Sequence, residues 1–238
     1  MPVSKRRKGV TGKRRTVKPA VPAKTDRWSV KLNGSRLLNI RNDPDFLTII
    51  KIGRVMNAVA YGVTDIASYR EHSTVMHTRQ FRRACFVLGG YLHQGITLVK
   101  AIKGRYLTEP GFERLRLIAL DSEHKKARDY VRKIRNFTAF HLDEYDETTR
   151  QTLSRLKPTM YPLMAGDDRT VGSFYFEFSD FIDLTFLVNT FADGRSWEET
   201  AHDIIGAIID LAYEFLTACN EFLDALCAKI KITEHIYK

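Results

Sequence analysis

Apolar residues recur every three or four positions along most of the chain, and this spacing predicts long helices. Two of them occupy the first half, over about 43–71 and about 74–102, after a poorly defined segment at 27–42. Pro44 would lie in the first turn of the first helix, where its missing N–H is tolerated. The second helix contains three glycines that predict a kink or a close helix crossing: Gly89, Gly90 and Gly95.

The second half of the chain predicts further helices and one exception. The helices are expected at 112–120, from Asp121 or Ser122 to Phe140, at 147–156, at 180–191, and from the capping-box pair Ser196 and Glu199 to about Lys231. Residues 158–178 favour a small β-hairpin instead. The predicted fold class is therefore all-α or mainly α, with four to five long helices in a bundle and a hairpin insertion near 158–178.

The positive charge of the chain is concentrated near residue 1. Residues 1–26 hold nine of the 38 basic and one of the 28 acidic residues, which leaves 27–238 with +2 of the total +10. We expect a disordered basic tail over 1–26 and a single helical domain over 27–238. The tail could add affinity for nucleic acid, act as a nuclear import signal, or be a solvated segment without a specific task.

Composition favours a folded protein of the cytoplasm. The apolar fraction of 44% is ordinary for a chain with a core, and no stretch reaches the roughly 18 uncharged apolar residues of a membrane span. The three cysteines lie in helical apolar patterns, which favours reduced, buried thiols: Cys85, Cys219 and Cys227. No spacing of Cys and His is typical of a zinc site, and neither a metal nor a cofactor is expected.

One short stretch carries reactive groups: Arg135-Asn136-Phe137-Thr138-Ala139-Phe140-His141. RNA is cleaved when its 2′-hydroxyl attacks the adjacent phosphate, and a base, an acid and a cation each assist this step. Histidine titrates near neutral pH, arginine binds phosphate, and asparagine can orient either partner. The stretch provides one of each and suits RNA cleavage without a metal.

The spacing of this stretch raises a geometric difficulty. In a straight helix, Arg135 and His141 would lie roughly 120° apart and about 9 Å along the axis. A distorted helix end, the reach of the Arg135 side chain, or a second copy of the chain would resolve it. The apolar line of this helix favours a two-fold dimer that brings two copies together: Ala127, Val131, Ile134, Thr138 and His141.

Ile134-Arg135-Asn136 followed by Ala139-Phe140-His141, at a helix end in a helical chain, resembles the motif of the HEPN superfamily. The resemblance implies a bundle of four or five helices, a homodimer with its site along the dimer cleft, and metal-independent endoribonuclease activity. It implies that Arg135 and His141 are catalytic and Asn136 supports them. Many members are bacterial toxins or antiviral effectors, so an antitoxin, nucleotidyltransferase or sensor partner is expected.

Two alternatives stay open: a HEPN-like module that dimerises or binds nucleic acid without cleaving, and an unrelated helical protein. In the first, His141 would cap its helix and Arg135 would form a surface ion pair.

Basic residues near the motif are candidates for RNA binding, or else form solvated helix faces: Arg128, Arg132, Lys133, Arg79 and Arg83. His93 lies among apolar neighbours and is expected to be a core histidine. The acidic residues after the motif could orient His141, hold a metal, or be plain surface: Asp143, Glu144, Asp146 and Glu147.

Overall fold

The protein is mainly α-helical, as predicted. The computed structural model describes residues 29–30, 34–70, 75–136, 145–156, 159–160, 177–231 and 236–237. These residues form α1 (Gly34–Ile40), α2 (Pro44–Arg70), α3 (Val75–Tyr106), α4 (Phe112–Leu120), α5 (Lys125–Ile134), α6 (Tyr145–Leu153), α7 (Glu177–Phe191) and α8 (Trp197–Lys229), with two-residue strands β1 (Ser29–Val30) and β2 (Ile236–Tyr237).

The chain divides into a main unit and a small second unit. The main unit spans residues 32–233 and contains all eight of these helices. The described residues of the second unit are β1 and β2, which pair antiparallel with Ser29 opposite Tyr237. The predicted boundary between residues 26 and 27 lies outside the described residues.

Side-chain caps begin two of the helices where the sequence predicts. The Asp43 carboxylate accepts hydrogen bonds from the backbone N–H groups of Asp45 at 2.7 Å and Phe46 at 3.2 Å, so α2 begins at Pro44. At α8, the Ser196 hydroxyl accepts from the Glu199 N–H, and the Glu199 carboxylate accepts from the Ser196 N–H. The predicted capping box is therefore confirmed.

Two helices have an end that differs from the prediction, one because of a tertiary contact and one because of a local cap. α3 continues past Ile102 because its last residue, Tyr106, is buried, and its hydroxyl donates a hydrogen bond to Asp45 and lies 2.9 Å from the Thr48 hydroxyl. α5 begins at Lys125, later than predicted, because Asp121 closes α4 and its carboxylate accepts from the Glu123 N–H at 2.9 Å.

Two other predictions need correction. The segment 27–42 contains a helix, α1, that the apolar spacing did not indicate. The predicted hairpin over 158–178 is wrong at its last two residues, since α7 already begins at Glu177. The rest of that hairpin lies outside the described residues, apart from 159–160.

The core lies where α8 packs against α2, α3, α4 and α5. Phe215 of α8 contacts α3 at Gly95, and Phe222 contacts α3 at Tyr106, with ring centroids 5.2 Å apart. Residue numbers therefore rise together along α3 and α8, and these two helices run parallel. This direction decides how the motif helix lies against α3.

Two described helical segments are long and apolar enough to cross a membrane by length and composition: 44–68 and 80–106. Both segments contain charged residues, which this criterion tolerates in small number. They therefore do not contradict the expectation that no uncharged apolar stretch is long enough to span a membrane. Core helices of soluble proteins also meet it, and 44% of the second window is buried inside the protein. The cytoplasmic location stays a prediction from the sequence.

Candidate functional site

Arg135 and Asn136 follow directly on α5, where the helix widens into a π-type turn. Both side chains are half-buried, and Arg135 Nη1 donates a hydrogen bond to Asn136 Oδ1 at 3.1 Å. Such wide turns are rare in proteins, and many of those that occur lie at functional sites. His141 lies outside the described residues, as do the predicted helix end at Phe140 and the acidic residues 143 and 144.

The apolar side of α5 is buried against its own chain. Val131 and Ile134 are fully buried, and a Cβ on Gly89 of α3 would lie 3.1 Å from the Ile134 side chain. The close crossing predicted from the glycines is therefore confirmed at Gly89. A dimer cannot use Val131 and Ile134, as the apolar line suggested, because α3 already covers them.

Hydrogen bonds to α8 hold α5 as well. The buried Tyr130 donates to Asp203 Oδ2 at 2.6 Å, and Lys126 and Arg195 lie 2.8 and 3.1 Å from the same oxygen. Burial acts to raise the pKa of Asp203, but the hydrogen bonds from these three side chains outweigh it and lower the pKa to about 2. Asp203 is therefore ionised at neutral pH and fixes the rotation of α5.

The start of α5 is held by two further contacts. His124 Nε2 lies 2.8 Å from Glu214 Oε2 of α8, and Arg128 Nη1 donates to the Ile118 carbonyl of α4 at 3.0 Å. Since His124 pairs with Glu214 and the later Tyr130 pairs with the earlier Asp203, α5 runs antiparallel to α8. Because α3 and α8 run parallel, α5 is also antiparallel to α3.

The predicted RNA-binding residues differ in their surroundings. Arg128 is partly buried on the α4 carbonyl. Lys133 Nζ lies 4.8 Å from the centroid of the Phe186 ring of α7, whereas Arg132 is exposed and pairs with Asp129 at 3.0 Å. Arg83 is exposed on α3, and the Arg79 side chain lies outside the described residues. Their role in RNA binding stays a prediction.

The charge of Arg135 acts on His93 of α3, a relation between the two residues that nothing in the sequence indicates. Burial, and then the positive charges of Arg135, Lys100 and Arg132, lower the pKa of His93 below its usual 6.5. The side chain is half-buried rather than enclosed in the core, so the expectation of a core histidine is wrong. We call His93, Lys100, Arg132 and Arg135 the α3–α5 cluster. Lys100 shares a face of α3 with His93 at a spacing of seven, but nothing in the sequence indicates that this face meets α5.

Two cavities elsewhere in the described part of the chain contain neither Arg135 nor His93. One is a small apolar cavity beside Ile134, walled mainly by α3, α7 and α8. The other is an open groove of about 410 Å³ between α2 and α3, with exposed Tyr61 and Tyr91 on its walls. The α3–α5 cluster is thus separate from both cavities.

Across the described ranges, no group of three or more His, Cys, Asp or Glu is placed to hold a metal ion. Cys85 and Cys219 are buried free thiols, as predicted, and burial raises the pKa of each to about 12. Neither is a reactive thiolate at neutral pH.

Compared with protein-family models, with curated proteins and with solved structures, the chain matches none of them. The resemblance to the HEPN superfamily therefore rests on the motif residues and on the helical fold class.

Proposed function

We propose that this protein is a metal-independent endoribonuclease that cleaves RNA by attack of the 2′-hydroxyl on the adjacent phosphate. The observation that supports this most is the position of Arg135 and Asn136. They form a hydrogen-bonded, half-buried pair at the end of α5, and the positive charge of Arg135 acts on the His93 imidazole together with those of Lys100 and Arg132. A phosphate is the anion that suits such a group of charges.

Each motif residue has a distinct part in this reaction. Arg135 binds the scissile phosphate and stabilises the negative charge that develops on its oxygens. Asn136 holds the guanidinium through its amide oxygen. His141, as imidazolium, donates a proton to the leaving 5′-oxygen. The products are a 2′,3′-cyclic phosphate and a 5′-hydroxyl.

The biological setting follows from the HEPN resemblance. We propose a toxin or antiviral effector that acts as a homodimer in the cytoplasm. An antitoxin, a nucleotidyltransferase or a sensor would inhibit the ribonuclease activity until the toxin or effector is activated. Because Val131 and Ile134 are covered, the dimer would form through surfaces other than the apolar line of α5.

The second candidate is a module that binds nucleic acid without cleaving it. The α3–α5 cluster favours this function as well, because its cations would attract phosphate whether or not the reaction follows. The two candidates differ in the fate of the RNA, so one experiment separates them.

We expect the full-length protein to cleave RNA in EDTA, and Arg135→Ala and His141→Ala each to reduce the rate by at least about 100-fold. Arg114→Ala is the matched control, since Arg114 is exposed on α4 and pairs with Glu221. Gel analysis gives the rate, and mass spectrometry gives the product ends. Binding without cleavage would leave only the second candidate. Cleavage that requires added metal would exclude the proposed mechanism.

A further inference from the structure

The open groove between α2 and α3, which we call the α2–α3 groove, has a volume of about 410 Å³. This volume lies in the range of pockets that hold small organic ligands. The lining comes from one face of α2, at spacings of three and four, and from two residues one turn apart on α3: Arg54, Asn57, Ala58, Tyr61, Gly62, Asp65, Val87 and Tyr91. Gly62 is buried and Ala58 half-buried, so small residues form the floor between larger side chains.

α2 and α3 run antiparallel along this groove. A Cβ on Gly62 would lie 3.1 Å from Leu88 Cδ1, and a Cβ on Gly95 would lie 2.8 Å from Val55 Cγ1. Residue numbers therefore fall along α2 as they rise along α3. The tyrosines of the lining, one on each helix, both come between these two contacts. They therefore flank the same stretch of the groove.

Both tyrosine rings are open to solvent, since Tyr61 is 72% and Tyr91 39% exposed. Proteins that bind single-stranded RNA stack unpaired bases on aromatic rings of this kind. A single exposed aromatic side chain needs no explanation. Two of them on facing helices, in one groove, offer flat apolar surfaces to a flat ligand such as a nucleobase.

The polar side chains of the groove are not engaged by the protein itself. Within the described residues, the side chains of Arg54, Asn57 and Asp65 form no hydrogen bond and no ion pair. Other exposed charges do pair, as Arg114 does with Glu221. Arg54 and Asp65 share one face of α2 and lie about 16 Å apart along its axis. The groove thus offers a cation near one end, a carboxylate near the other and an amide between them.

We propose that the α2–α3 groove binds an unpaired nucleotide of single-stranded RNA and prefers adenine or cytosine. The base stacks on Tyr61 and Tyr91, and Arg54 pairs with a backbone phosphate. Asp65 accepts a hydrogen bond from the exocyclic amino group that adenine and cytosine carry. Uracil has a carbonyl oxygen in that place, which a carboxylate disfavours. The inference rests on the proposed function, since the strand held here is the one that would be cleaved at Arg135.

The charges of the groove favour a strand over a free nucleoside polyphosphate. Among the described residues that line it, Arg54 is the sole cation, and Asp65 would repel additional phosphate groups. A strand brings one phosphate charge for each nucleotide and can leave the groove at either open end.

The first test measures stacking, with 2′-O-methyl hexamers of adenine, cytosine or uracil that cannot be cleaved. Fluorescence anisotropy at about 0.3 M salt gives the affinity while attraction by the basic segment 1–26 is weak. We expect Tyr61→Ala and Tyr91→Ala each to weaken binding of the adenine hexamer by about 5- to 100-fold. Tyr61→Phe keeps the ring and should bind within about twofold of wild type. Tyr213→Ala, at an exposed tyrosine of α8, is the matched control and should bind like wild type.

The second test measures the choice of base. Wild type should bind the cytosine hexamer at least about fivefold more tightly than the uracil hexamer, which is similar in size. Asp65→Asn should remove most of this preference, because an amide can also donate to the uracil carbonyl. Asp210→Asn, at an exposed aspartate of α8, should retain it. Circular dichroism melting verifies that the variants are folded.

Binding of the adenine hexamer to Tyr61→Ala and Tyr91→Ala as tight as to wild type would overturn the inference. Equal affinity of wild type for cytosine and uracil would overturn it as well. So would displacement of the hexamer by an equal concentration of adenosine monophosphate, which would make a free nucleotide the ligand. Cleavage of RNA by the wild-type protein is measured separately. If wild type cleaves and the tyrosine variants bind normally, the inference fails and the proposed function stands. If the groove binds the hexamers but wild type does not cleave, the reverse holds.

Discussion

At the scale of single residues, two aspartates have pKa values shifted in opposite directions. Asp203 is held ionised by three donors, so its contribution to stability is present above about pH 4 and is lost as the pH falls toward 2. Asp183 of α7 is half-buried, and burial raises its pKa to about 7. A carboxyl in that setting is protonated in the folded protein at mildly acidic pH.

This difference makes Asp183 a source of pH-dependent stability. Between about pH 4 and pH 7 the unfolded chain has released the Asp183 proton and the folded chain has kept it. The free energy of unfolding should therefore fall by roughly 2–4 kcal/mol as the pH rises through this window, and level off above it. Asp183→Asn should remove that fall. Urea denaturation at pH 4.5 and 7.5 measures it, with the exposed Asp210→Asn as control. Equal pH dependence in wild type and Asp183→Asn would contradict the pKa shift.

At the scale of elements, α3 approaches α8 and α2 closely at Gly95. A Cβ on Gly95 would lie 2.5 Å from Phe215 Cζ and 2.8 Å from Val55 Cγ1. Gly206 in α8, in contrast, has nothing within 4 Å of the corresponding position. The same residue type thus serves packing in one helix and leaves open space in another.

Alanine at these two glycines should have opposite effects. Gly95→Ala gains helix propensity but forces Phe215 and Val55 apart, so we expect a net loss of about 1–3 kcal/mol. Gly206→Ala meets no neighbour and should gain up to about 1 kcal/mol. Chemical denaturation of both variants tests the pair. A stabilised Gly95→Ala protein would show that α3 and α8 are not in this close contact.

Local signals in the sequence predicted the starts of α2 and α8, but not the contacts between helices. Asp43 and the Ser196–Glu199 pair act within one turn of the chain, so the starts of α2 and α8 could be predicted. The end of α3 at Tyr106 depends on Asp45, about 60 residues earlier, and no local pattern contains that bond.

The candidate site also contains residues that the sequence could indicate and one that it could not. Arg135 and Asn136 are adjacent in the chain and could be selected from the sequence. The effect of Arg135 on His93 arises only because α3 and α5 pack together, and their direction follows from the hydrogen bonds of α5 to α8. Apolar spacing gives the side of a helix that is buried, but not the helix that covers it.

At the scale of the whole molecule, charge and chemistry lie in different parts of the chain. The residues from 27 onward carry +2 of the total +10, and 1–26 carries the rest. If the protein binds RNA as we propose, the Arg135 site needs little general attraction of its own, since the basic segment would supply the long-range attraction to RNA.

Replacing the nine basic residues of 1–26 by glutamine should separate binding from cleavage. RNA affinity should fall, and its dependence on salt should become shallower, because fewer counterions are released. The cleavage rate at saturating RNA should stay within about twofold of wild type. Fluorescence anisotropy at several salt concentrations and single-turnover cleavage measure the two quantities. A large loss of the saturated rate would place part of the catalytic machinery in 1–26.

The position of α8 has a consequence for how the protein is made. Hydrogen bonds from α8 orient α5. α8 begins only at Trp197, 63 residues after α5 ends at Ile134. A ribosome therefore completes α3 and α5 well before the helix that aligns them. If the site cleaves RNA as we propose, we expect the growing chain to leave RNA uncut for as long as α8 is still inside the ribosome, because α5 is not yet held on its α8 side.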